Sequence, residues 1–285
     1  MRRLATVAAL VGLLGSTALD AQAFRGAPRP HRSGISFALG PAASCGYDVA
    51  TCNYFAAMTV QPDATRKGLL STLVTCVEGA GLFTKLDALT IRAMHDSQAG
   101  LVNMISPSSN STNSGMTFTV DRGYAGNGTN ARILYTALVS SAAHYAAAGA
   151  TMGVWYNANP SGATGLVGVA SNTNSSIVWA SGTSIAVRIN GTTAVSPTTT
   201  GGHHYAGVRT DASTIRTFQN GSFLTSGTSA DDSTSLTSQF AVGFGRGTYT
   251  SGQIAADYYG GILTDTDESN LHSCLNTYLS AIGAQ

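Results

Sequence analysis

Short segments of alternating apolar and polar residues follow one another from about Leu89 to Gly261, with turn residues between them. The clearest turn is Asn220-Gly221, which lies between the alternating runs 213–218 and 222–225. Asn-Gly accepts the positive φ angles of a type I′ turn, whose twist matches the flanking strands. The pattern therefore favours one β-sandwich or jelly roll. Strands are predicted at 89–94, 116–120, 132–139, 151–156, 165–170, 176–180, 185–189, 203–208, 215–218, 222–225, 240–245 and 254–259.

Two segments have helical rather than strand spacing. Residues 62–77 begin with a proline, which suits the first helical position, and two glycines follow the segment. The chain ends with a second amphipathic helix that we expect to pack on the sandwich. Its apolar face comprises Leu271, Cys274, Leu275, Tyr278 and Leu279.

An acidic cluster precedes this last helix. Thr264 or Asp265 can cap the helix, and Asp267 or Glu268 can take the reciprocal position of a capping box. Helix capping is therefore the interpretation that we give to the whole cluster, in preference to a catalytic role.

The N-terminus has the layout of a secretory signal peptide. Two arginines precede an apolar run at 4–14, and Ala21-Gln22-Ala23 supplies small residues for cleavage. The run is too short to span a bilayer as a helix. We expect a signal peptide at 1–23, with an uncleaved apolar N-terminus as the alternative, a flexible leader at 24–47, a helical segment at 48–87 and the sandwich with its C-terminal helix at 88–285. The protein is then secreted, periplasmic or at the cell surface.

The charge pattern excludes one class of partner. Charged residues make up 10% of the chain and the net charge is +1, whereas typical soluble domains are about 25% charged. No lysine follows Lys85. A basic face that could track phosphates is therefore missing, and we expect no nucleic-acid partner.

Four cysteines allow three disulfide pairings, and the sequence does not choose among them. Cys45 and Cys52 are close enough in sequence to staple the segment after the leader. Cys76 and Cys274 lie on apolar helix faces, where either a disulfide or a buried thiol fits.

Four stretches carry a resemblance to a known family: Met58–Lys67, Lys85–Leu89, Phe118–Gly128 and the Gln219–Gly221 hairpin. They resemble concanavalin A-like (laminin G-like) proteins of the type found in bacteria and prophages. The resemblance covers the chain from about Met58 onward. It implies a β-sandwich that often binds glycans, preceded by a short helical segment, and it implies a connection to phage.

The same superfamily includes glucanases, so glycosidase activity has to be considered. A retaining glycosidase of that kind needs two carboxyl groups about 5 to 5.5 Å apart. The chain has two glutamates, Glu78 and Glu268, and neither lies in a predicted strand. We therefore expect a protein that is not an enzyme.

Cofactors are not predicted, although calcium is a candidate. Asp231 and Asp232 stand among hydroxyl side chains that could provide oxygen ligands. A solvated loop explains the same residues. His203 and His204 would alternate across a strand, so we expect one buried and one exposed residue rather than a metal-binding pair.

Sugar recognition commonly combines an aromatic platform with amide or charged hydrogen-bonding groups. Trp155 and the tyrosines at 258–259 lie within strong strands and are assigned to the core. Arg246 and Tyr249 follow a strand in an exposed loop, and they are the predicted ligand-binding residues together with Trp179.

The sequence thus predicts a secreted recognition domain that binds carbohydrate or another cell-surface polymer. The alternative is a virion-associated protein, such as a decoration or tail component of phage lineage, that contacts phage or envelope subunits.

Overall fold

The structure is a computed structural model that describes residues 45–158, 160, 162–170, 175–181, 184–199, 201, 203–232 and 237–284, with only the backbone at 178–181. The predicted signal peptide and almost all of the predicted leader lie outside the described residues.

The described residues form three α-helices and sixteen strands. The helices are α1 Val49–Ala56, α2 Ala64–Gly79 and α3 Asp265–Ala281. The strands are β1 Leu86–Ile91, β2 Ser111–Ser114, β3 Thr117–Thr119, β4 Gly123–Ala125, β5 Arg132–Leu138, β6 Ala150–Ala158, β7 Thr164–Val169, β8 Ser176–Ser181, β9 Ser184–Arg188, β10 His204–Arg209, β11 Thr214–Gln219, β12 Ser222–Thr228, β13 Gln239–Val242, β14 Phe244–Gly245, β15 Thr248–Tyr249 and β16 Gln253–Gly260.

Two antiparallel sheets form a sandwich. In the described residues one sheet has eight strands in the order β12-β11-β10-β6-β16-β4-β3, with β1 also paired to β16. The other has six strands in the order β2-β5-β13-β7-β8-β9. Each predicted strand overlaps a strand of the structure, so the predicted mainly-β sandwich is confirmed.

Side chains that alternate along the eight-stranded sheet serve two separate cores, because successive residues of a strand point to opposite faces. In β16, Tyr259 packs between the two sheets, whereas Tyr258 packs against the helices. The described residues therefore form three layers: helices, an eight-stranded sheet and a six-stranded sheet.

The helical layer is held by caps and disulfides. The side chain of Asp63 accepts a hydrogen bond from the backbone N–H of Arg66 and caps α2. One disulfide joins Cys45 to Cys52 at the start of α1, and another joins Cys76 of α2 to Cys274 of α3. Disulfides of this kind are typical of oxidising compartments.

None of the helices in the described residues has both the length and the apolar character needed to cross a membrane.

A buried ion pair lies in the middle of the sandwich. Arg92 and Asp257 are both 0% exposed, and the guanidinium contacts the carboxylate at 2.5 and 3.1 Å. The hydroxyl of Tyr135 donates to the same carboxylate at 2.7 Å. Because a buried charge is costly unless it is paired and hydrogen-bonded, this network fixes the position of β16 against the residue that follows β1.

Candidate functional site

The predicted ligand-binding residues Arg246 and Tyr249 lie on a tight hairpin between β14 and β15. Arg246 is exposed at φ 50° and Gly247 has φ 78°, so both turn residues are left-handed. The Tyr249 ring is partly buried and packs on Phe244 at 5.0 Å between centroids. Burial and the charge of Arg246 lower the pKa of Arg188, which places a second guanidinium nearby. A ligand at this hairpin stays a prediction.

The other predicted residues do not join it in a described site. Trp179 lies in β8 opposite Ile185, and its side chain is outside the described residues. Asp231 is exposed and bridges Gly191 through the backbone. No group of three histidine, cysteine or carboxylate side chains that could hold a metal ion occurs among the described residues.

A different pocket brings polar and aromatic side chains together where β6, β10 and α3 meet. Its volume is about 110 Å³. We call it the histidine pocket, and its walls are Trp155, His203, Asn220, His272 and Asn276.

Strand register and one glycine explain how the sequence builds this pocket. Trp155 of β6 lies directly opposite His204 of β10, so both side chains face α3. The turn at Asn220-Gly221 brings α3 close: a Cβ built on Gly221 would lie 2.7 Å from the Cβ of His272. With φ at 74°, this turn position also favours glycine.

A chain of hydrogen bonds runs from the pocket wall into the interior. Nδ1 of His272 lies 3.2 Å from Nδ1 of His204, and Nε2 of His204 lies 2.9 Å from the hydroxyl oxygen of Tyr258. That oxygen lies 2.7 Å from Oε2 of Glu268. Four side chains thus connect a partly exposed imidazole to a carboxyl group that is 0% exposed.

Trp155 covers the first bond of this chain. The rings of His204 and His272 differ by only 4° in plane, and the indole lies within 16° of both, at centroid distances of 5.7 and 5.3 Å. The indole N–H of Trp155 is buried and has no hydrogen-bond partner in the described part of the chain. The indole thus stacks on both imidazoles and still carries an unused donor.

Burial sets the protonation of the two inner groups. It raises the pKa of Glu268 to about 8, and the charges of Asp267 and Asp265 act in the same direction. Burial also lowers the pKa of His204 to about 3, helped by repulsion from His272. At neutral pH Glu268 is therefore mainly a neutral acid and His204 a neutral imidazole, the kind of perturbation that marks functional sites.

A larger cavity in the described structure has fewer polar side chains that are free to bind a ligand. A cleft of about 260 Å³ is lined by Phe83, Asp87 and His144, among others. The carboxylate of Asp87 is occupied there, because it accepts hydrogen bonds from the backbone N–H groups of residues 143–145. The histidine pocket is the better candidate because its wall leads to groups with shifted pKa values.

Sequence reasoning found part of this site. Alternation correctly separated His204, which is buried, from His203, which is partly exposed. Capping was the wrong interpretation for Glu268: Thr264 and Asp267 form the capping box, while Glu268 points into the interior. The signal was present, because Glu268 stands three residues before Leu271 on the apolar helix face.

Comparisons with known proteins show the fold. No family model and no curated protein matches the chain. A sialidase of Trypanosoma rangeli, in complex with a difluoro-KDN, is similar at 12% identity with a TM-score of 0.51, covering 74% of this chain and 40% of that one.

Two further solved structures are less similar. Domain 4 of AbnA, a GH43 extracellular arabinanase from Geobacillus stearothermophilus in complex with arabinotriose, has 15% identity and a TM-score of 0.47, covering 66% of this chain and 98% of that one. The binding domain of Paraclostridial Mosquitocidal Protein 1 has 11% identity and a TM-score of 0.49, covering 67% and 52%. TM-scores below 0.5 carry no argument about function.

The expectation that this protein is not an enzyme is contradicted, because the solved structure with the highest of these TM-scores is a sialidase, which is an enzyme. The criterion behind that expectation was too narrow. It required a pair of glutamates on a strand, whereas sialidases are glycosidases that use a tyrosine nucleophile. This chain spans about 40% of the sialidase, and at 12% identity the likeness shows the fold alone.

Proposed function

We propose that the protein binds carbohydrate in the histidine pocket. The observation that carries this proposal is the composition of the wall, which combines an indole, two imidazoles and two carboxamides around one cavity. Sugar rings present apolar C–H faces and hydroxyl groups side by side, and this combination of side chains satisfies both.

The size of the cavity fits one sugar unit. Its volume of about 110 Å³ is well below the roughly 300 Å³ at which sites for drug-sized ligands begin. A terminal or branching sugar enters the pocket, and the remainder of the glycan lies outside it. The ring carbons of His203 and His272 provide the apolar contact, because both residues line the cavity and Trp155 behind them is only 2% exposed.

Two carboxamides, one on the turn and one on α3, provide hydrogen bonds to the sugar. The Oδ1 atom of Asn220 accepts from the backbone N–H groups of His203 and His204, at 3.3 Å each. Its N–H₂ group has no partner among the described residues and can donate to a sugar hydroxyl. Asn276 of α3 supplies a second carboxamide to the wall.

The setting of this function is extracellular recognition. Two disulfides and the signal-peptide layout of residues 1–23 support secretion, and a secreted protein would meet cell-surface polymers. A concanavalin A-like lineage is the proposal for the sandwich, supported by the sequence resemblance.

A glycan array probed with the full chain tests the proposal. We expect specific retention that His272→Ala and Asn276→Ala each weaken at least about tenfold, the effect of one lost hydrogen bond to a ligand. Arg246→Ala and Tyr249→Ala, at the β14–β15 hairpin, and His144→Ala, in the larger cleft, are the matched controls and should bind as the wild type does.

Two results would overturn the proposal. Retention that depends on Arg246 and Tyr249 but not on His272 would move the ligand to the hairpin. A folded protein that retains no glycan would remove carbohydrate binding altogether.

A further inference from the structure

We propose that His272, His204, Tyr258 and Glu268 form a proton relay, through which Glu268 determines whether the histidine pocket offers its ligand a hydrogen-bond donor or an acceptor. The relay makes Glu268 a specificity-determining residue, although it does not touch the ligand. The effect on the ligand rests on the proposed function, whereas the relay itself does not.

The contacts of the chain permit two directions of hydrogen bonding. When Glu268 is protonated, its O–H donates to Tyr258, the hydroxyl of Tyr258 donates to Nε2 of His204, and Nδ1–H of His204 donates to Nδ1 of His272. The single proton of neutral His272 then resides on Nε2. All three separations, 2.7, 2.9 and 3.2 Å, suit these bonds.

When Glu268 is ionised, every bond reverses. Tyr258 donates to the carboxylate, Nε2–H of His204 donates to Tyr258, and Nδ1–H of His272 donates to Nδ1 of His204. Nε2 of His272 is left with a lone pair. The four side chains share four transferable protons in the first state and three in the second, and the proton that is lost leaves from Nε2 of His272.

The end of the chain is open to the pocket. His272 is partly exposed, and Nε2 has no hydrogen-bond partner among the described residues and is not among the buried polar atoms. At the inner end, Oε1 of Glu268 is buried without a partner in the same residues. Because an unsolvated carboxylate oxygen disfavours the ionised form, the protonated state persists to a higher pH than for an exposed glutamate.

The neighbouring carboxylates of Glu268 are paired with cations outside the relay. Asp265 and Asp267 on α3 are paired with Arg216 of β11 and with Lys85, which precedes β1. Among the described residues, the other titratable groups on this side of α3 are Tyr258 of β16, which contacts Glu268, and His204 of β10, which contacts Tyr258. Burial, complete for His204 and partial for His272, lowers the pKa values of both imidazoles, so they stay neutral while the proton moves.

A carboxylate distinguishes the two states. A sugar carboxylate has only acceptor atoms and needs the Nε2–H of His272, whereas a neutral hydroxyl donates or accepts and adapts to either state. The relay therefore predicts that the pocket binds acidic sugars while Glu268 is protonated and loses this ability once Glu268 ionises.

The ring nitrogens of His272 test the relay without any ligand. In full-length protein labelled with ¹⁵N at histidine, we expect the NMR signal of Nε2 to change from protonated to unprotonated between pH 6.5 and pH 9.5, about one unit or more on either side of the Glu268 transition. Glu268→Gln, which cannot titrate, should keep one state throughout, and Tyr258→Phe, which interrupts the chain, should do the same. A wild type that shows no change, or a Glu268→Gln variant that shows the same change, would overturn the relay.

Binding then tests what the relay does. An oligogalacturonate should lose about tenfold or more in affinity from pH 6.5 to pH 9.5, since one charge-assisted hydrogen bond is lost. A neutral galactan oligomer should change less than about twofold, because its hydroxyls adapt. Failure of both sugars to bind would count against the proposed function, while the nitrogen signals would still decide the relay.

Discussion

At the scale of single residues, burial changes what the same side chain does. The sequence around Asp267-Glu268 looks like one acidic cluster, yet its two members have different environments and contacts. Asp267 caps α3 and contacts Lys85 at 2.7 Å, whereas Glu268 is fully buried beside Tyr258. Helix phase decides this, because one step along a helix turns the side chain by about 100°.

Glu268 gives the stability of the protein a dependence on pH. Its pKa is about 8 in the folded state against an ordinary value of 4.5, so its contribution to stability is fully present below pH 4.5 and is lost as pH rises through 8. Between pH 6.5 and pH 8 we expect the free energy of unfolding to fall by about 2 kcal/mol from this group alone. Urea unfolding at the two pH values measures the change.

The matched control is Glu268→Gln. In this variant the free energy of unfolding should not fall between pH 6.5 and pH 8. His204 does not affect the comparison of the two pH values. Because its pKa is lowered in the folded state, this residue reduces the free energy of unfolding only as pH falls below about 6.5. A decrease of the same size in the variant would assign the effect to another group.

At the scale of elements, two hairpins show what turn chemistry predicts and what it omits. Asn220-Gly221 was predicted as a type I′ turn, and both residues have positive φ, at 49° and 74°. Arg246-Gly247 has the same conformation, at 50° and 78°, but no Asn-Gly signal marked it. The sequence predicted the turn itself but not that α3 packs directly on Gly221.

Replacing each of the two turn glycines by alanine distinguishes the cost of backbone strain from the cost of a steric clash with α3. Gly247→Ala meets no atom within 4 Å and should lose about 1 kcal/mol of stability through the left-handed conformation alone. Gly221→Ala suffers the same strain and also collides with His272, so a loss of about 3 kcal/mol is expected. It should also weaken glycan retention by displacing α3. Thermal unfolding and the array measure both effects, and equal losses for the two variants would contradict this account of α3 packing.

Elements without an alternating pattern escaped prediction. The strand β2 consists of Ser111–Ser114, four small polar residues at the edge of the six-stranded sheet. Its place depends on pairing with β5 rather than on apolar side chains. The helix α1 was likewise not located within the predicted helical segment, and its start depends on the Asp48 cap and the adjacent Cys45–Cys52 disulfide.

At the scale of the whole molecule, the sequence predicted the sandwich but not the site. Alternation along each strand is local information, and it was enough for the two sheets. The histidine pocket instead joins Trp155, Asn220 and His272, which are far apart in sequence and meet only because α3 packs on the eight-stranded sheet. The third layer therefore creates the site, and the Cys76–Cys274 disulfide ties α3 to α2 within that layer.

The indole N–H signals provide the most direct test of the central claim, because the chain has only two tryptophans. A Trp179→Phe variant assigns the two NMR signals, and the full chain is then titrated with a glycan that the array selects. We predict that the Trp155 signal shifts with the binding curve while that of Trp179 stays in place. Binding that moves only the Trp179 signal, or neither signal, would contradict a carbohydrate site in the histidine pocket.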